Sequence, residues 1–479
     1  MLDIRQDSFT KPVCVGGFAN EYYWSSSENN SNNAWNQNFN NGNQNNNNKD
    51  NNKRVRAVRG FNLSRYYAAF RQDTIILEVV LQLELFPFYE LENCSIKADE
   101  LFQAYFDCKS NKRLTANAMV FEVDYESKLI QLLEDINTGN YYPGKSIAFI
   151  VNKPVKREIF AADFRDRIVH HLIINKLNPL FEKDFIRDSF ACRVGKGTHH
   201  GIERIDKFIK QCSKNYNEDC FILKLDIQAF FMNINRKLLF DKLHNYILDK
   251  YHQHDQKIVL DLCRKIIFYS PVDNCIMKGH KTDWSGLPKS KSLFYTPKDC
   301  GLPIGNLTSQ VFANFYLNSF DHFIKHDLKS RFYGRYVDDV VIVHNDKDYL
   351  KSLIPKIKNF LNDKLFLTLH PDKIYLQHYS KGVKYLGSVI MPNRIYITNR
   401  TKGNFYSSIS RYNDLSESHK PEKTELQKIQ SSINSYLGMM IHYKSYNIRK
   451  MYLVKYLNAF LKKRFVTTVK YSKIVVKCV

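Results

Sequence analysis

The chain has 479 residues, 44% of them apolar and 14% aromatic, enough for two or three domains with sizeable cores. Its 71 basic against 48 acidic residues leave a formal net charge of +23, which favours a polyanionic partner, nucleic acid first, over an acidic small molecule. A membrane partner is not expected: the longest apolar stretch, Ile75 to Phe88, is broken by Glu78, Gln82, Glu84 and Pro87 and reads as a strand or buried segment. The N-terminus lacks the charged and apolar blocks of a signal peptide, and ten cysteines lie singly, without the close pair a zinc ribbon or redox site needs. Reduced thiols in a cytoplasmic protein are the expectation. The neighbours His170 and His171, and His199 and His200, point in different directions on any regular element, so structural or RNA-facing roles suit them better than a metal site.

Four regions follow in chain order. Residues 1–60 are rich in Asn, Ser and Gly, include "NNSNNAWNQNFNNGNQNNNNKDNNKR" and end in the basic run "KRVRAVR"; composition predicts a flexible segment. Residues 61–92 form an apolar connector. From 93 to 386, helical periods such as "ESKLIQLLEDI" alternate with short β runs such as "FILKLDI" and "VVIVH", a mixed α and β domain. From 387 to 479 the periods turn mainly helical, as in "EKTELQKIQSSINSYLGMMIHY", and lysines are dense.

Within the third region, "VNKPVKREIFAADFRDRIVHH" and "RDSFACRVGKGTHHG" carry Lys156, Arg157, Arg165 and Arg193 among apolar and aromatic residues. Fixed cations so placed suit a triphosphate or a nucleic-acid backbone, although each one singly also reads as a solvated surface charge. Next, "FILKLDIQAFFMNIN" ends an apolar strand on Asp226, where a charge buried unpaired is costly and should meet either water or a metal. The stretch "GLPIGNLTSQVFANFYLNSFD" is a loop that opens a helix; Gly301 and Gly305 permit close backbone approach, and the helix start offers N–H groups to a phosphate or template base. In "RFYGRYVDDVVIVHN" two β runs flank Asp338 and Asp339, which predicts a hairpin with carboxylates at its tip. A plain surface turn would also use Asp there. Joined to Asp226 on a neighbouring strand, the pair gains a purpose: together they would bridge two divalent cations roughly 4 Å apart, the spacing of in-line phosphoryl transfer.

In this order the segments resemble the reverse transcriptases, and among them the branch found in diversity-generating retroelements. The resemblance rests on "AADFRDRIVHH", "SFACRVGKGTH", "KLDIQAFF", "WSGLPKSKSLF", "LPIGNLTSQ", "YVDD", "LHPDKIYL" and "KYLG", and covers about residues 93 to 450. It implies an α+β right-hand polymerase fold, with fingers and palm built of an antiparallel sheet plus helices and a helical, basic thumb. It also implies two magnesium ions, with manganese as a substitute, held by Asp226, Ile227, Asp338 and Asp339. Lys373 matches a lysine that protonates departing pyrophosphate, and Phe230 matches the aromatic that excludes a 2′-hydroxyl. Ile304 stands where most of the family has glutamine, and Gln310 where it has proline; with Gly305 they would line the nucleotide. Loss of the polar contact at 304 implies an error-prone polymerase.

The opening tract resembles the translated template repeat of the same retroelements, because "YWSSSE" and "RVRAVR" flank asparagines whose codons begin with two adenines. A disordered, Asn-rich RNA-binding tail would have a similar composition. Implied partners are template RNA and an RNA/cDNA duplex, deoxynucleotide triphosphates and a small, basic, oligomeric accessory protein. The rival readings are a group II intron-type reverse transcriptase and a catalytically idle RNA-binding protein on the same scaffold.

Overall fold

The computed structural model describes residues 95–110, 115–152 and 155–477, together with three strands nearer the N-terminus. The chain divides into two compact units, Met1–Glu90 and Leu91–Val479. In the first, β1 (Tyr22–Glu28), β2 (Asn33–Asn38) and β3 (Gln44–Asn48) pair as an antiparallel meander. Where composition predicts a flexible tract, main-chain ladders form, since their donors and acceptors belong to every residue alike. The connector at 61–92, with its apolar stretch, lies outside the described residues.

The second unit opens with α1 (Ala98–Lys109), α2 (Ala116–Glu122) and α3 (Tyr125–Asn137). Leu129, Leu132 and Ile136 are buried at helical spacing along α3, as the periodicity predicts. A small sheet follows, in which β4 (Ser146–Val151) pairs with antiparallel β5 (Arg157–Ala161) and, on its other edge, with parallel β7 (Cys275–Met277). Helix α4 (Phe164–Asp184) buries Ile168, Val169, Leu172, Ile173 and Leu177, more than one stripe, so it runs through the core. Then come α5 (Thr198–Cys212), β6 (Phe221–Asp226), the single turn α6 (Phe230–Asn233), α7 (Arg236–Lys250) and α8 (Gln256–Phe268). Beyond β7 lie α9 (Leu307–Tyr316), α10 (Asn318–His322), the strands β8 (Phe332–Tyr336) and β9 (Asp339–His344), α11 (Lys347–Leu365) and β10 (Tyr375–His378).

The central sheet has the order β10-β6-β9-β8 and is antiparallel throughout. Strict alternation gives it two covered faces. Leu223, Leu225, Val340 and Ile342 join the main core, while Ile222, Val341 and Val343 pack on Ile202, Ile205, Phe208 and Ile209 of α5. By the same period of two, Lys224, Asp226 and Asp339 belong to the α5 face. The meander β11 (Val383–Tyr385), β12 (Ser388–Met391) and β13 (Arg394–Ile397) straddles residue 387. Helices begin only at α12 (Asn399–Ser418) and α13 (Lys423–Met440), which share a separate core around Phe405, Ile429, Ile433 and Leu437. The described cysteines are free, yet Cys212 and Cys220 meet in space although neither motif nor spacing marks them as a pair; the Cys212 thiol and burial push Cys220 up. His199 stacks on His442, ring centroids 3.8 Å apart. No helix among the described residues is long and apolar enough to cross a membrane.

Candidate active site

Asp226, the last residue of β6, is the register partner of Asp339, the first of β9. Tyr336 pairs with Asp339 across the β8–β9 hairpin, so Val337 and Asp338 make the turn. Val337 has φ 55°, a left-handed conformation that costs a β-branched residue on the order of 1–3 kcal/mol. A buried clamp holds it there. The Arg335 guanidinium donates to the Val337 carbonyl at 2.9 Å, to both oxygens of Asp321 at 2.7 and 2.6 Å, and to Asn314 Oδ1 at 3.2 Å. Arg335 and Asp321 are both 0% exposed, and the Tyr333 hydroxyl also donates to Asp321. The backbone of Arg335 is tied as well, its N–H to the Asp188 carbonyl and its carbonyl to the Phe190 N–H, each at 2.9 Å. The carboxylate turn is therefore fixed from α9, α10 and the 188–190 segment.

Burial first, then the negative charges of Asp339 and Asp226, push the Asp338 carboxyl up to about 6; its own backbone and Lys373 pull the other way. The other two acids are ion-paired. Lys373 Nζ lies 2.9 Å from Asp226 Oδ1, and Lys224 Nζ 2.9 Å from Asp339 Oδ1. These lysines engage oxygens a metal would take, and among the described residues no three His, Cys, Asp or Glu groups close on one point. The chemistry of the set still fits a hard divalent cation: three carboxylates crowd one strand end, and their mutual repulsion is what a cation relieves. Asp226, Asp338 and Asp339 would hold it. Ile227, with its side chain 1% exposed, has only its main-chain carbonyl to offer.

The 301–306 loop is strapped down on two sides. Leu302 N–H donates to the Phe231 carbonyl at 2.8 Å and Gly301 N–H to that of Ile234 at 2.9 Å, while on β5 the Phe160 N–H donates to the Ile304 carbonyl at 2.9 Å. Ala162 N–H bonds Asn306 Oδ1 at 3.0 Å. Gly305 has φ 126°, and a Cβ there would meet Ile159 Cγ2 at 2.8 Å, so only glycine lets the loop lie on β5. Ile304 and Gly305 thus stand between β5 and the α6 turn. Gln310 is exposed on α9 and accepts from the Cys192 thiol at 3.1 Å.

Several expected residues stand elsewhere. Phe230 is 2% exposed, buried in the main core edge-on to Phe231. Phe231, half-buried, packs both on that core and on the small cluster of Ala148, Phe160, Met232 and Leu293, where Ile304 also packs. Just before this pair the left-handed Ala229 (φ 45°) ends the strand alternation that runs through Asp226. Arg193 is engaged completely. Its guanidinium bonds Glu182 through two nitrogens and the carbonyls of Ile186 and Ser189, and lies over Phe185. Arg165 bonds Asp135 at 2.6 Å and the Tyr142 carbonyl, and Lys156 donates to the Ser285 carbonyl at 2.5 Å. Arg157 stays exposed at the start of β5. Lys224 escaped notice, although its place two residues before Asp226 puts it on the same face. Arg335 could not have been found, because the partners of its guanidinium and main chain come from α9, α10 and the 188–190 segment.

Residues 152–390 match the family described as reverse transcriptase (RNA-dependent DNA polymerase). The chain carries a reverse transcriptase domain, that of an RNA-directed DNA polymerase and so of a nucleotidyltransferase, and its helices and antiparallel sheets form the α+β right-hand polymerase fold. Among curated proteins it is 22% identical to Protein YkfC of Escherichia coli over 55% of this chain and 72% of that one. It is 21% identical to the putative COX1/OXI3 intron 2 protein of Saccharomyces cerevisiae, over 58% and 36% of the two chains. To an uncharacterized 91 kDa protein in a cob intron of Schizosaccharomyces pombe it is 25% identical over 50% and 26%. The chain thus spans little more than a third of the second relative and about a quarter of the third. Among solved structures it is similar to apo telomerase from Candida tropicalis, with 15% identity, TM-score 0.40 and coverage of 53% of this chain and 55% of that one. Telomerase from Candida albicans with a fragment of telomeric RNA matches at 12% identity and TM-score 0.39, over 71% and 63%.

Proposed function

We propose that this protein is an RNA-directed DNA polymerase that copies a template-repeat RNA into cDNA, with errors concentrated at adenines, for mutagenic retrohoming. The observation that carries the polymerase reading is the meeting of Asp226 with Asp339 in strand register beside a clamped Asp338. Two magnesium ions, or manganese in their place, would activate a primer 3′-hydroxyl and steady the triphosphate of an incoming deoxynucleotide. Lys373, tethered to Asp226 and still partly exposed, would give a proton to pyrophosphate as it leaves. Phe231 takes the role of reading the sugar, and exposed Arg157 that of meeting a phosphate. Ile304 offers the nascent pair no side-chain hydrogen bond, and the absence of one discriminating bond weakens base selection by on the order of 1 kcal/mol.

The retroelement reading rests on the motif forms "WSGLPKSKSLF" and "LPIGNLTSQ" and on the Asn-rich tract, read as a translated template repeat. Its partners would be the template RNA, the RNA/cDNA duplex and a small, basic, oligomeric accessory protein, and free cysteines suit the cytoplasm. Two relatives with intron in their names favour a second reading, an intron-type reverse transcriptase. Flanking DNA separates the two: the first requires a near-identical copy of the sequence coding for residues 22–60 that differs only at adenines.

Primer extension on an RNA template tests the activity. Asp338→Ala with Asp339→Ala should abolish extension by the purified protein; a wild type without activity would leave the idle RNA-binding protein standing. In the same assay Ile304→Gln should lower misincorporation opposite adenine several-fold, and an unchanged error spectrum would leave Ile304 without a part in fidelity.

A further inference from the structure

Between α8 and the 301–306 loop the chain makes an excursion, residues 270–300, that the catalytic reading does not use. Its outer part turns twice, at Lys281–Trp284 and Lys289–Lys291, and exposes Lys281, Lys289, Lys291 and Lys298. The acids of the excursion do not face these lysines as partners. Asp283 accepts from the His280 N–H at 2.9 Å, and Asp273 and Asp299 lie near the buried Arg236 at its base. Tyr295 is 63% exposed, with Lys289 Nζ 5.3 Å from its ring centroid.

This basic segment does not hang loose. Glu158 of β5, 2% exposed, accepts from Trp284 Nε1 at 2.7 Å, the Ser292 hydroxyl at 2.8 Å and the Leu293 N–H at 2.6 Å. All three donors are neutral and all belong to the excursion, so a buried carboxylate acts as its latch. Lys156 adds a bond to the Ser285 carbonyl, and Phe294 packs on Phe160 at 5.3 Å. Two residues along the same strand, Phe160 N–H holds the Ile304 carbonyl. One strand therefore seats both the loop beside the nascent pair and the lysine-rich excursion.

We infer that residues 281–298 grip the single-stranded template RNA as it approaches the site, the lysines meeting phosphates and Tyr295 stacking on a base. Exposed lysines on the same segment as an exposed aromatic ring, here with Lys289 over Tyr295, are the combination that holds single strands without reading their sequence. Duplex already formed would need the cations but not the ring. The inference rests on the polymerase reading and assigns its template-entry surface.

The test is fluorescence anisotropy with a DNA primer on an RNA template, carrying a 5′ template overhang of about ten nucleotides or blunt-ended, across a range of salt. Replacing Lys281, Lys289, Lys291 and Lys298 by alanine should flatten the slope of log K against log salt by roughly 0.7 for each phosphate the protein ceases to neutralise, about 2–3 in all, on the overhang substrate alone. Tyr295→Ala should weaken overhang binding on the order of tenfold without changing the slope. Arginine at the four lysine positions should restore the slope. Equal losses on blunt duplex, or unchanged overhang binding in either variant, would overturn the inference. Failure of the polymerase reading would show differently, as absence of primer extension by the wild type on the same substrate.

Discussion

Asp338 is a buried carboxyl flanked by two more, and its ionisation opposes folding. With a folded value of about 6 against 3.8, its contribution to stability is complete below pH 4 and is lost as pH rises through 6. At pH 8 the charged form costs on the order of 3 kcal/mol. Asp338→Asn should therefore melt a few degrees above wild type at pH 8 without divalent metal, with the advantage gone near pH 4. Added magnesium should raise the wild-type melting temperature at pH 8 and leave the variant nearly unmoved. A variant that melts lower at pH 8 would show that the crowding of charge is not what the geometry implies. The pair Asp338 and Asp339 was legible in the sequence, since adjacent acids between two β runs ask for a cation. The cations were less so. An arginine on a surface and one wrapped by Glu182 and two carbonyls look the same in a string of letters, because burial is decided by partners the string does not place.

Elements were legible where period and length agree. The α3 and α13 stripes and the β6 and β9 runs form where alternation and helical spacing predict them. The junctions were not. The backbone of Ala229 enters the left-handed region after β6, and Phe230, the ring the resemblance assigns to the sugar, is buried in the core while Phe231 is half-exposed. This gives a paired prediction. Phe231→Val should lower discrimination against ribonucleotides about ten- to a hundredfold in competition assays, the scale of a changed steric contact. Phe230→Val should instead lower the melting temperature and leave discrimination unchanged, since it opens a cavity in the main core. Ribonucleotide uptake that follows residue 230 rather than 231 would reverse the assignment. The β11–β13 meander was missed for a related reason: its strands have three or four residues each, too short for a period of two to stand out beside helical segments.

At the scale of the whole molecule, the central sheet lies between two apolar clusters, and this double cover keeps β6 in register with β9. A slip by one residue would turn Asp226 away from the Asp339 face and bury a charge. The buried Arg335–Asp321 pair fixes the hairpin turn against that sheet, and Lys373 reaches Asp226 from the segment before β10. Ordered motifs made this convergence readable as a resemblance, while the clamp and the lysine partners required the fold. The most direct test is RNA-templated primer extension by Asp226→Asn in magnesium, with binding of primer and template measured in parallel. A catalytic Asp226 predicts a fall in rate of roughly a thousandfold or more with binding nearly unchanged. Extension within about tenfold of wild type would contradict it.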